Sequence, residues 1–147
     1  MVAIAYEDLT PGRIIPLGQI VIDKDEMLAF AERFDPQPFH LDEAAGAASV
    51  LGGLCASGWF TGSLWMRSYV DHVLAGSTSQ GSPGLTELSW TKPVFPGDTL
   101  RSELEVVSAR RSASREGLGL VQMIGRLYRG EDLVMRAAFT GMFGTRS

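Results

Sequence analysis

The spacing of apolar positions changes along the chain, and the changes divide it into elements. Residues 14–22 are apolar-rich and end in alternation, which predicts a short strand. Asp23 then reads as an N-cap, with Glu26 placed where a carboxylate reaches back to a free N–H. Met27, Phe30, Ala31 and Phe34 recur at helical spacing, so one face of the following helix is apolar. Pro36 disfavours helical dihedrals at the residue before it and ends this helix at Phe34 or Asp35. Asp35-Pro-Gln-Pro-Phe-His40 reads as a stiff, non-helical connector, and the alanine-rich stretch after it as a short helix starting at Asp42. From about Gly58 to Leu74 nearly every position is apolar, and a helix without a polar face belongs inside a protein. Gly76 is its expected stop.

In the second half the period falls to two. Leu100, Leu104 and Val106 alternate with Arg101, Glu103 and Glu105, and Leu118, Leu120, Gln122 and Ile124 repeat the habit. Leu133, Met135, Ala137 and Phe139 do so again, while Leu85 to Lys92 reads as a strand closed by Pro93. Pro96-Gly97-Asp98 and Gly130-Glu131-Asp132 carry turn chemistry. The expected order is strand, helix, connector, long buried helix, then four strands mostly joined as antiparallel hairpins. One curled antiparallel sheet wrapped around one long buried helix satisfies it, because it covers the helix on all sides and one face of each strand. The expected class is α+β, a single hot-dog domain over residues 1–147.

Composition narrows the function. The formal net charge of −4 gives no electrostatic reason to expect nucleic acid as a partner. The single cysteine, Cys55, excludes an intrachain disulfide and a cysteine-only metal site, and reads as a small buried residue. With two histidines far apart, no metal is expected. No basic leader with an apolar core opens the sequence, and no run of about 18 apolar residues occurs, so no membrane association and a cytoplasmic location are expected.

Phe34-Asp-Pro-Gln-Pro-Phe-His-Leu-Asp42 resembles the hydratase signature of the MaoC-like family, which includes (R)-specific enoyl-CoA hydratases. Asp35 stands five residues before His40, as in that signature, and Pro38 fills its proline slot. Ala56-Ser57-Gly58-Trp59 falls where the family's buried helix begins, eighteen residues after the histidine, which puts Gly58 in the glycine slot. Lys92-Pro-Val-Phe-Pro-Gly-Asp-Thr-Leu100 resembles the family's connector into its next strand. Three positions depart from the pattern: Gln37 stands for asparagine, Phe34 for glycine and Ser57 for histidine.

The resemblance implies a hydro-lyase that adds water to an enoyl-CoA or removes it from a 3-hydroxyacyl-CoA of (R) configuration, as in fatty acid metabolism. Asp35 and His40 would hold and activate the water. An imidazole exchanges protons near neutrality, and a carboxylate beside it favours the imidazolium. The N–H of Gly58, at a helix start where such groups lack internal partners, would stabilise the thioester oxyanion. Gln37, Ser57 and Trp59 are the expected substrate-binding residues. No cofactor is expected beyond the coenzyme A of the substrate, and the expected assembly is a homodimer or larger homo-oligomer. An acyl-CoA thioesterase and a non-catalytic acyl-thioester-binding module on the same fold are the alternatives. Elsewhere, His72 reads as a solvated partner of a helix end. Arg110, Arg111 and Arg115 read as a solvated face, with coenzyme A phosphates as the alternative contact. Trp59, Phe60, Trp65 and Met66 read mainly as core, with an acyl tunnel as the alternative.

Overall fold

The computed structural model describes residues 3–147; Met1 and Val2, at the start of the expected 1–147 domain, lie outside the described residues. After a single 3-10 turn at Tyr6–Asp8, strand β1 (Ile14–Val21) leads into helix α1 (Lys24–Phe34). Asp23 caps α1 by accepting from the N–H of Glu26 at 2.9 Å. The helix ends one residue before the Asp35-Pro36 pair. Its last residue, Phe34, points outward, although the spacing placed it on the buried face; the Arg33 guanidinium lies 4.7 Å from its ring centroid.

The expected non-helical connector contains one helical turn, α2 (Pro38–Leu41). Proline is tolerated at the first position of a helix, where its missing N–H would have no partner anyway. Pro38 occupies that position, and the N–H groups of His40 and Asp42 close the turn on the carbonyls of Gln37 and Pro38. Helix α3 (Glu43–Ala48) follows, capped by Asp42 through the N–H of Ala45 at 2.8 Å.

Helix α4 (Gly58–Tyr69) runs across the sheet and continues as one wider π-type turn, Val70–Leu74, where the N–H of Ala75 reaches the carbonyl of Val70. Contrary to expectation, α4 is not buried all round. Phe60, Thr61, Trp65, Ser68 and Tyr69 face the sheet, while Trp59, Ser63, Met66 and Arg67 form an outward stripe. The remaining strands are β2 (Gly84–Trp90), β3 (Thr99–Arg111), β4 (Leu118–Arg129) and β5 (Asp132–Gly144). All pairings are antiparallel, in the order β1-β3-β4-β5-β2. β3-β4-β5 is a meander of hairpins as expected. β2 makes no hairpin with β3 but pairs with β5 at the sheet edge, Leu88 opposite Ala137. The result is a curled five-stranded sheet against a helix, the hot-dog arrangement. Among the described residues no helix is long and apolar enough to cross a membrane.

The helix sits close to the sheet because glycine makes room for it. A Cβ placed on Gly125 of β4 would lie 2.2 Å from the Trp65 ring. That ring stacks on Tyr69, and its indole N–H donates to the Glu103 carbonyl at 3.3 Å, so it has nowhere to retreat. Overpacking of this kind costs about 1–3 kcal/mol. Gly125→Ala should therefore lower the unfolding free energy from urea denaturation by about 1–3 kcal/mol, whereas Gly62→Ala, whose Cβ meets nothing nearer than Met135 at 4.0 Å, should not. Equal stability of Gly125→Ala and wild type would contradict this packing.

Candidate active site

Asp35 is the residue that leaves α1. Its backbone departs from helical dihedrals, at φ −150° and ψ 63°, as the following proline requires. This turns the carboxylate toward α2, whose single turn presents His40. The imidazole Nε2 lies 3.3 Å from Asp35 Oδ2. The other ring nitrogen, Nδ1, lies 2.8 Å from the backbone carbonyl of Cys55. A carbonyl only accepts, so Nδ1 carries the proton, and Nε2 is the nitrogen that takes up or gives up a proton beside the carboxylate.

The segment leading into α4 is tied on both sides. The N–H of Cys55 donates to the Phe39 carbonyl and that of Ala56 to the Val94 carbonyl. Val94 belongs to the connector before β3. There Gly97 takes a positive φ of 83°, the N–H of Phe95 donates to Asp98, and Arg129 grips both Asp98 and the Pro93 carbonyl. Helix α4 thus begins from a fixed base. Its N-cap, Ser57, makes no capping hydrogen bond; its buried hydroxyl donates instead to Asp35 Oδ2 at 2.7 Å. The first N–H groups of α4 are left without a side-chain cap. Gly58 is the first of these residues. A Cβ there would lie 2.5 Å from the indole of Trp90, which stands edge-on to Trp59 with ring centroids 5.4 Å apart.

Asp35, His40, Gly58, Trp59 and Trp90 line one cavity of about 390 Å³. Burial works to raise the Asp35 pKa. The hydrogen bonds from Gln37 (2.6 Å, to Oδ1) and Ser57 and the nearby imidazole outweigh it and hold the carboxyl below its ordinary range. The Cys55 thiol, 3.5 Å from His40 Nδ1, is pushed up by burial, so it stays protonated at neutral pH.

The family model described as "MaoC like domain" matches residues 10–124. The chain belongs to the MaoC-like dehydratase family. That membership places it among hydratases and dehydratases, lyases that add or remove water. The chain is similar to a MaoC-like dehydratase from Rhodospirillum rubrum, 35% identical, covering 99% of each chain with a TM-score of 0.91. It is also similar to an (R)-hydratase from A. caviae involved in PHA biosynthesis, 25% identical, over 92% of this chain and 96% of that one with a TM-score of 0.70. A Mycobacterium tuberculosis protein with a double hotdog fold shares the fold at 20% identity and a TM-score of 0.83, with 97% of this chain matching 44% of that one.

Within this MaoC-like domain the expected residues Asp35, His40, Gly58 and Trp59 meet at the cavity. Gln37 and Ser57, expected to meet substrate, direct their hydrogen bonds to Asp35. The Arg110–Arg115 cluster is not brought to the site: it lies at the far end of β3 from the connector, where Arg111 pairs with Glu7 at 3.6 Å. His72 is exposed and bonds the Ser68 carbonyl. Two site features escaped the sequence. The Cys55 carbonyl is a backbone atom with no residue-type signature. Trp90 reads from the sequence only as one position of the strand from Leu85 to Lys92, and the structure ends that strand at Trp90 itself.

Because the Asp35 carboxyl titrates lower in the folded chain than in the unfolded one, its ionised form stabilises the fold. That contribution is present above the ordinary carboxylate pKa and is lost as pH falls through the native one. The melting-temperature difference between wild type and Asp35→Asn should therefore shrink as pH falls through this range. A difference independent of pH would contradict the linkage.

Proposed function

We propose that the protein hydrates the double bond of an enoyl-CoA to a 3-hydroxyacyl-CoA, or catalyses the reverse. The observation that carries this reading is the Asp35 carboxylate 3.3 Å from His40 Nε2, on one cavity with the uncapped start of α4 at Gly58. A water held between carboxylate and imidazole gives up a proton to Nε2 as its oxygen bonds the β-carbon. The π electrons move onto the thioester oxygen, which the Gly58 N–H receives. The enolate then collapses and its α-carbon takes the proton from His40. One water is consumed, both new bonds form on one face, and no free thiol is released. General acid–base catalysis contributes roughly 10²–10⁴-fold and one oxyanion donor about 10²–10³-fold. The (R) configuration rests on the family resemblance.

A second, almost wholly apolar chamber of about 330 Å³ lies between α4 and strands β2 and β5, lined by Met66, Tyr69, Leu85 and Phe139, and shares Trp59 with the catalytic cavity. It supports a reading in which the acyl chain extends past Trp59 along the helix. The outward stripe of α4 and the edge strand also expose Trp59, Met66, Leu85 and Trp90 as one apolar patch. A patch of this kind marks an association surface. A second copy of the chain is the occupant we favour, since the double hotdog relative holds two such units in one polypeptide.

Crotonyl-CoA should lose its conjugated absorbance with the wild type and not with His40→Ala, with no thiol released. Thiol release would move the assignment to a thioesterase. Gly58→Val, which fills the oxyanion approach and displaces Trp90, should abolish turnover in a folded protein; full activity would remove the oxyanion role. Light scattering should give at least a dimer, and a monomeric mass at working concentration would refute the association surface.

A further inference from the structure

We infer that Ser57 and Gln37 are positioning residues that lock Asp35 as a fixed hydrogen-bond acceptor, so that the proton of the proposed hydration travels on His40 alone. The inference rests on that hydratase reading and on two of the three positions where the chain departs from the family pattern. Each oxygen of the Asp35 carboxylate is already held: Oδ1 accepts from Gln37 Nε2 at 2.6 Å, and Oδ2 from Ser57 Oγ at 2.7 Å. Oδ2 also faces His40 Nε2 at 3.3 Å. Two short donors to the ionised carboxylate favour that form and disfavour its protonation, while a lone pair remains to accept from the water. Among these groups His40 alone has a ring nitrogen free to change its state, since its other nitrogen is fixed by the Cys55 carbonyl.

Ser57 has a second consequence that a merely structural serine would lack. It is the N-cap of α4, and a serine there would ordinarily cover an N–H of the first turn. By donating to Asp35 it leaves that turn uncapped beside Gly58. One fully buried hydroxyl therefore joins the water-holding carboxylate to the base of the helix whose N–H receives the oxyanion. The two halves of the site keep a fixed separation without a bridging side chain from outside.

The test reads the resting protein and turnover separately. The Asp35 carboxyl is titrated by carbon-13 NMR in the wild type, Ser57→Ala and Gln37→Leu; both variants should titrate higher. On crotonyl-CoA, Ser57→Ala should lose about tenfold or more in kcat with little change in KM, and the acid limb of its kcat/KM profile should move to higher pH. Ser57→Thr, which keeps the hydroxyl, should restore the wild-type profile. Gln37 is exposed, so Gln37→Leu tests the same point where folding is not at risk. Unmoved Asp35 titration in both variants overturns the inference, as does a Ser57→Ala defect confined to KM with an unmoved pH profile. A wild type that converts no enoyl thioester while the titrations still move would sink the hydratase reading and support the locking of Asp35.

Discussion

The site depends on a single carboxylate that belongs to three elements at once. Asp35 ends α1, faces the imidazole of α2 and accepts from the residue that opens α4. These elements share no strand ladder. Hydrogen bonds between Cys55 and both Phe39 and His40 already tie α2 to the segment before α4, and the Asp35 junction joins the end of α1 to both. Proline on either side of Gln37 limits how the intervening backbone can move, so the junction costs little further ordering. Burial and function reinforce each other there: the bonds that compensate a half-buried charge also orient it.

The connector before β3 plays the complementary part from the other side. Its Gly97 turn is closed by Asp98 and clamped by Arg129, and it hands the Val94 carbonyl to the strand-like segment that precedes α4. A cation from β4 thereby stabilises a backbone that never touches the chemistry. The helix start is held by hydrogen bonds on both sides, which suits the proposed role of its first N–H as an oxyanion donor.

Local chemistry made much of this readable from the sequence. The caps at Asp23 and Asp42, the stop at Pro36 and the alternation of β3 and β5 each rest on a rule that acts within a few residues, and each stands in the structure. In β4 the strand stands, but its buried face carries Val121, Met123 and Leu127 rather than Leu118, Leu120 and Ile124, because apolar residues occupy both faces. The failures have non-local causes. Pro38 reads as a helix breaker, yet it also serves as a helix start, and only the closure of its turn decides between the two. β2 pairs with β5 across the intervening β3 and β4, a partnership that no pattern within β2 encodes. The apolar stripe of Trp59 and Met66 looked like core because side-chain type does not distinguish a wall of a cavity from the interior of a fold. Likewise the polar character of Gln37 and Ser57 was visible, but not the direction in which each would donate.

The three tryptophans divide into two optical populations. Trp65 is buried, stacked on Tyr69 and wedged over Gly125, so its emission reports the integrity of the interior. Trp59 and Trp90 stand against each other at the mouth of the cavity, 62% and 40% exposed, where any guest must disturb them. The molecule carries its own pair of gauges, one for folding and one for occupancy. Replacing Trp65 by phenylalanine would silence the first and leave the second readable without any added dye.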